Sequence, residues 1–159
     1  MGQYVGIGFD AHRFADGIPL MLGTIEVEHP QGLAGHSDGD VLAHAIVDAI
    51  LGAGGGGDIG ARYPSPDPEW RDVAGRVFLD DVAAWARESG FTIINVDVTV
   101  ICEEPRIDPY REKMQAAIAD ATGARRVNVK ATSTDRMGFT GHGEGIAAFA
   151  VALLSDESG

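Results

Sequence analysis

Residues 35–50 read GHSDGDVLAHAIVDAI. Two histidines and three aspartates stand there among small and apolar side chains. From Ser37 to Leu51 the stretch predicts a helix. Ser37 can cap it, and Asp40 three residues on makes a capping-box-like start. Asp40, His44 and Asp48 then fall at i, i+4 and i+8, a single polar stripe. Leu42, Ile46, Ile50 and several alanines and valines cover the other sides. A helix apolar on most sides is buried on most sides. The stripe therefore faces an interior crevice, and its charged groups need partners.

Segments on either side supply the layers that bury such a helix. YVGIGFDAHRF (Tyr4–Phe14) alternates as a strand, with Val5, Ile7, Phe9 and Ala11 on one face and Asp10 and His12 on the other. IPLMLGTIEVEH (18–29) predicts a short hairpin, and Gly52–Gly60 a glycine-rich loop. Glu69–Ser89 predicts a second helix with Trp70, Val73, Val77, Val82 and Trp85 as its stripe, stopped by Gly90. TIINVDVTVI (Thr92–Ile101) is a strand. A third helix starts with Asp108 as cap and Pro109 in the first turn and ends at Gly123. RVNVKATST (Arg126–Thr134) is another strand, and the alanine-rich GIAAFAVALL (Gly145–Leu154) fits either period. The pattern predicts one α/β or α+β domain over residues 1–159.

Composition narrows the function. The 159 residues carry 24 Asp and Glu against 12 Lys and Arg, a formal charge of −12. That argues against nucleic acid or an anionic membrane surface as partner. No run approaches the roughly 18 apolar residues of a membrane span, and the start lacks a signal or transit pattern. The single cysteine, Cys102, permits no internal disulfide and suits a reducing cytosol.

Two groups of residues carry chemistry. Asp10, His12 and His44 offer one carboxylate and two imidazoles. That set suits Zn²⁺ with a fourth position open for catalysis, and equally non-haem Fe(II). Asp48 is a candidate acceptor for the His44 N–H, and Asp40 is either a cap or a further ligand. His36, beside Ser37 at the helix start, is an anion contact or a solvent-facing loop residue. The glycine loop lacks the ending of a nucleotide-triphosphate loop. In KATSTDRMGFTGHGEG (Lys130–Gly145), consecutive hydroxyls, a cation and Asp135 suggest phosphate handling with Mg²⁺, or else a polar turn.

Taken in order, GFDAHRF, HSDGDVLAHAIVDAILGA, GDIG followed by YP, NVDVTVI, NVKATSTD and GFTGHGEGIA closely resemble the 2-C-methyl-D-erythritol 2,4-cyclodiphosphate synthase family. The likeness runs from about Tyr4 to Leu154. It implies an α+β core of β-α-β-α-β-β type with a four-stranded sheet packed on helices, the alanine-rich segment being a strand. It implies a homotrimer in the bacterial cytoplasm with active sites at subunit interfaces. The implied reaction takes 4-diphosphocytidyl-2-C-methyl-D-erythritol 2-phosphate to the cyclic diphosphate and CMP, a phosphorus–oxygen lyase step of isoprenoid precursor synthesis. Asp10, His12 and His44 would hold one Zn²⁺ per subunit. Asp135 would hold Mg²⁺ or Mn²⁺, directly or through water. Asp10, His36, Lys130, Thr132 and Ser133 would act in catalysis. His36, Ser37, Asp58, Ile59, Gly60, Tyr63 and Ser65 would line the methylerythritol phosphate pocket. Cys102, Pro105, Arg106, Ile107, Ala131, Thr132 and Ser133 would hold the cytidine diphosphate part. Phe139 and His142 would border an axial cavity for an isoprenoid diphosphate. Three positions depart from the family pattern: Asp135 replaces a glutamate, Ser65 an aspartate and His142 an arginine. The rival chemistry is a zinc-dependent nucleotide diphosphate hydrolase. A protein that uses its metal only structurally is the reading outside enzymes.

Overall fold

The computed structural model describes residues 1–156. Strand β1 (Gln3–Ala15) is followed by a small hairpin, β2 (Leu20–Leu22) and β3 (Ile25–Val27), and a two-residue strand β4 (Gly32–Leu33). Helix α1 (Val41–Gly54), a single turn α2 (Ile59–Arg62) and helix α3 (Gly75–Glu88) come next. Then follow β5 (Phe91–Ile101), α4 (Arg111–Thr122), β6 (Arg126–Thr132), the short turn α5 (Gly138–Gly141) and β7 (Gly145–Asp156). The main sheet has the order β4-β1-β7-β5-β6. Among the described residues only β5 and β6 run parallel, joined across α4. The main sheet is mixed, with the helices packed on one side and the β2–β3 hairpin as a second, two-stranded sheet, an α+β domain.

Among the described residues the sheet has five strands rather than the expected four, the fifth being the two-residue edge β4. Two long helices, α1 and α3, with the single turn α2 between them, separate β1 from β5, where the expected core order has one helix. The alanine-rich segment is the central strand β7, between β1 and β5. Its Ala148, Ala150 and Ala152 are buried side by side on the helix face. Small side chains there let a helix lie close.

The alternation of β1 is real, but its apolar face is not the packed one. Val5, Ile7 and Phe9 are 69%, 65% and 50% exposed. The opposite face carries Gly6 and Gly8, and α1 lies directly on them. A Cβ on Gly8 would stand 1.8 Å from the Ala45 carbonyl oxygen, and one on Gly6 2.0 Å from that of Ala49. No side chain fits between strand and helix, so the two backbones meet. That register carries Asp10 and His12, further along the same face, towards His44 on α1. The core between sheet and helices is filled by Leu42, Ile46, Ile50, Leu79, Met114 and Ile118, all fully buried.

Element boundaries shift from the expected ones for local reasons. Asp40, not Ser37, caps α1, accepting the Ala43 N–H. The helix runs on through Gly54 and closes at Gly55 (φ 73°), so part of the predicted loop is helical. Helix α3 starts only at Gly75; before it Pro68–Trp70 form a 3₁₀ turn capped by Asp67, and Asp72 sits at φ 58°. Trp70 and Val73 therefore lie outside the helix, and Val77 on it is exposed. Asp108–Tyr110 likewise form a 3₁₀ turn before α4, and Gly123 closes that helix at φ 70°.

Candidate metal centre and substrate cleft

The β1–α1 contact gathers three ligand atoms. Asp10 Oδ2 lies 2.8 Å from His12 Nε2 and 3.0 Å from His44 Nδ1, and the two ring nitrogens are 3.2 Å apart. A tetrahedral ion bound at about 2.0–2.1 Å sets neighbouring donors roughly 3.3 Å apart, close to these separations. One carboxylate and two imidazoles converging on one point fit a divalent metal. Burial works to raise the Asp10 carboxyl, but hydrogen bonds from His12 and His44 outweigh it and hold it at about 2. Burial depresses His44; its bond to Asp10 and the charges of Asp10, Asp40 and Asp38 more than offset this and raise it. The far nitrogen of His44, Nε2, meets Ser37 Oγ at 2.9 Å.

Asp48 does not serve His44. Its Oδ1 accepts the Ile59 N–H at 2.8 Å, tying α1 to the start of α2. Asp40 is not a ligand either. It is fully buried and takes backbone N–H groups from Gly23, Thr24 and Ala43.

The three ligands open into a cleft with His36, Ser37, Ile59, Gly60, Tyr63 and Ser65 on its walls. Asp58, also expected there, caps α2 through the Ala61 N–H and is exposed. Trp70 and Phe78 complete the lining, and sequence reading missed both as site residues. They looked like ordinary apolar positions; their place follows from the ring stack Trp70–Tyr63–Phe78–His44, with edge-on contacts of 4.9, 4.8 and 5.6 Å.

The second predicted group gathers elsewhere on the chain, at the ends of β5 and β6. The Cys102 N–H donates to the Thr132 carbonyl oxygen, and Cys102 Sγ approaches the Pro105 carbonyl at 3.5 Å. Cys102 and Ile107 are buried, and burial first, then Glu103, pushes the thiol up to about 11. Ala131, Thr132, Ser133 and Arg106 are exposed. Asp135 and Arg136 both hold left-handed backbone, at φ 50° and 66°. Such strain in non-glycine residues persists where neighbours impose it. Here Ser133 Oγ accepts the Asp135 N–H and Glu103 accepts the Arg136 N–H at 3.1 Å. Lys130 is not a free cation; its ammonium meets both Asp97 oxygens at 2.6 Å. Phe139 borders a recess with Ala11 and Arg13, and His142 a separate one with His29 and Glu103. None of this second group lines the cleft that holds Asp10.

Residues 3–155 match the profile of the YgbB family. The chain belongs to the YgbB family. Among its relatives is the 2-C-methyl-D-erythritol 2,4-cyclodiphosphate synthase of Geobacillus kaustophilus, 49% identical over 94% of this chain and 96% of that protein. A bifunctional enzyme IspD/IspF of Erythrobacter litoralis is 52% identical over 94% of this chain. This YgbB chain spans only 39% of that longer relative. The solved bifunctional IspDF from Campylobacter jejuni superposes with a TM-score of 0.93 at 39% identity, covering 98% of this chain and 42% of that one. An IspF of Plasmodium falciparum, solved as a CDP complex, superposes at 0.85 with 29% identity over 99% and 98% of the two chains.

Proposed function

We propose that the chain converts 4-diphosphocytidyl-2-C-methyl-D-erythritol 2-phosphate to 2-C-methyl-D-erythritol 2,4-cyclodiphosphate and CMP. The Asp10–His12–His44 cluster, opening into a cleft that His36, Ser37 and Ser65 share with Ile59, Tyr63, Trp70 and Phe78, is the observation that carries this reading. The names of the YgbB relatives and the CDP complex of one of them support it.

The substrate's 2-phosphate is already an anion, so an oxygen of it attacks the β-phosphorus without a general base. The bond from that phosphorus to the bridging oxygen breaks, and CMP leaves with its electron pair. Catalysis then consists of positioning and charge neutralisation. Asp10, His12 and His44 would hold Zn²⁺, which when bound would supply Lewis-acid neutralisation of phosphate charge. Ser37 steadies His44 through its hydroxyl. His36, Asp58 and Ser65 meet the erythritol phosphate end, with the Ile59–Gly60 backbone beside it. Thr132, Ser133 and the 102–107 segment take the cytidine diphosphate end, and Asp135 serves Mg²⁺ or Mn²⁺ there. Lys130, which pairs with Asp97 on the single chain, acts with Thr132 and Ser133 on that end in this reading.

The two halves of this site lie apart on one chain, and among the described residues nothing packs on the face of the sheet bearing Val5, Ile7 and Phe9. Both facts support a homotrimer in which one copy's cleft meets a neighbour's Thr132–Asp135 segment. On the same reading Phe9, Phe139 and His142 of three copies surround an axial cavity that accommodates an isoprenoid diphosphate. The setting is the bacterial cytoplasm.

The zinc-loaded protein is expected to release CMP from the substrate, and phosphorus NMR to show a cyclic diphosphate. Two open phosphates would assign a hydrolase instead. His44→Ala is expected to lose bound zinc and most activity while keeping the fold, checked by metal analysis and circular dichroism. Unaltered zinc content would exclude His44 as a ligand.

A further inference from the structure

Helix α2 is a single turn, too short to stand on its own, yet it carries one wall of the cleft. Two carboxylates from neighbouring helices hold it. Asp48 of α1 takes the Ile59 N–H at its start. At its end, Asp81 of α3 receives the Tyr63 hydroxyl at 2.6 Å, Arg62 Nε at 2.9 Å and Arg62 Nη2 at 2.9 Å, all on Oδ2. The Arg62 guanidinium also lies over the Tyr63 ring (5.6 Å) and the Trp85 ring (5.9 Å). Tyr63 is buried, and its ring stands between Trp70 and Phe78. Phe78 in turn meets the His44 ring. Burial first, then the bond to Asp81, pushes the Tyr63 hydroxyl up, so it remains a donor.

We infer that Asp81 is a positioning residue: it lies outside the cleft and fixes the 59–65 wall through Tyr63 and Arg62, setting the affinity for the erythritol phosphate end of the substrate. The inference rests on the proposed reaction. Asp81 and Arg62 are both partly exposed. Exposed ion pairs add little to global stability. The consequence of losing Asp81 therefore falls on the wall's placement. Tyr63 is the one member of this latch that faces the cleft, and Asp81 reaches the substrate only through it and Arg62.

Steady-state CMP release by zinc-loaded Asp81→Ala, Asp81→Asn and Tyr63→Phe tests this. Asp81→Ala is expected to raise KM about five- to tenfold with kcat within about twofold, the pattern of lost ground-state binding. Zinc content stays that of the unmodified protein. Tyr63→Phe raises KM less, and adding Asp81→Ala to a Tyr63→Phe, Arg62→Ala background raises it no further, because the partners act as one unit. Tryptic cleavage after Arg62 rises several-fold in Asp81→Ala. An unchanged KM, or a fall in kcat together with zinc loss, overturns the inference. If Asp81→Ala fails to fold, Asp81→Asn and Tyr63→Phe carry the same comparison. An unmodified protein that releases no CMP would defeat the proposed reaction alone; the latch is then judged by cleavage after Arg62, and unchanged cleavage in Asp81→Ala defeats it.

Discussion

Asp40 shows how one residue resolves when its neighbours are known. As a sequence position it is a cap or a ligand. In the fold it is fully buried and satisfied by three backbone N–H groups, two of them from the β2–β3 turn. Burial first, then the adjacent Asp38, raises its carboxyl to about 6. The folded chain thus keeps a proton that the unfolded chain, with an ordinary carboxyl near 3.8, has given up. Its contribution to stability is full below the unfolded value and is lost as pH rises through about 6. Asp38→Asn removes the repulsion, so this loss is expected to move to lower pH, read from urea unfolding midpoints at steps between about pH 4 and pH 7. An unshifted profile would show that Asp38 does not act on Asp40. Asp40→Asn puts a donor where an acceptor is needed. It is expected to cost about 1–3 kcal/mol at neutral pH, measured by the same unfolding curves.

At the scale of elements, the β1–α1 contact governs the metal centre. Gly6 and Gly8 are needed there for want of space, not for unusual backbone angles. Gly8→Ala drives a methyl into the Ala45 carbonyl, backbone that cannot swing aside. The expected loss is about 3 kcal/mol or more, with zinc affinity falling as His44 is pushed from Asp10. Gly52, inside α1, is the contrasting case: an added Cβ there would meet atoms only at 3.9 Å. Gly52→Ala is expected to gain about 0.5–1 kcal/mol from helix propensity. Denaturant midpoints of the two variants check both signs, and equal effects would refute the close-approach account.

At the scale of the whole molecule, the helices among the described residues cover one side of the sheet only. Val5, Ile7, Phe9, Phe149 and Val151 remain exposed, and Phe9 and Phe149 pair at 4.8 Å across β1 and β7. An apolar strip of this kind on a chain of charge −12 marks a surface meant to be covered. Among the described residues no helix is long and apolar enough to cross a membrane. Light scattering after size exclusion is expected to give three copies for the unmodified chain and one for Ile7→Glu, because three buried carboxylates would face each other. A monomer in both cases would defeat the trimer and, with it, a site shared between copies.

Much of the site was legible in the sequence because residue type and short spacing express chemistry directly. Asp10 and His12 two apart on a strand must share a face, and His44 and Asp48 one helical turn apart must share a stripe. The glycine and proline punctuation located the turns, and the order of motifs announced the family. What the chain alone left open were choices between equivalent local solutions. Period two defines two faces of β1 but not which is packed; the missing Cβ atoms of Gly6 and Gly8 decide it, through a helix some forty residues away. The alanine-rich β7 satisfies either period, and only pairing with β1 and β5 makes it a strand. Asp48 turns to Ile59, Asp81 takes Tyr63, and Asp97 claims Lys130. Hydrogen-bond partners are chosen by proximity in space, and proximity is a property of the assembled fold.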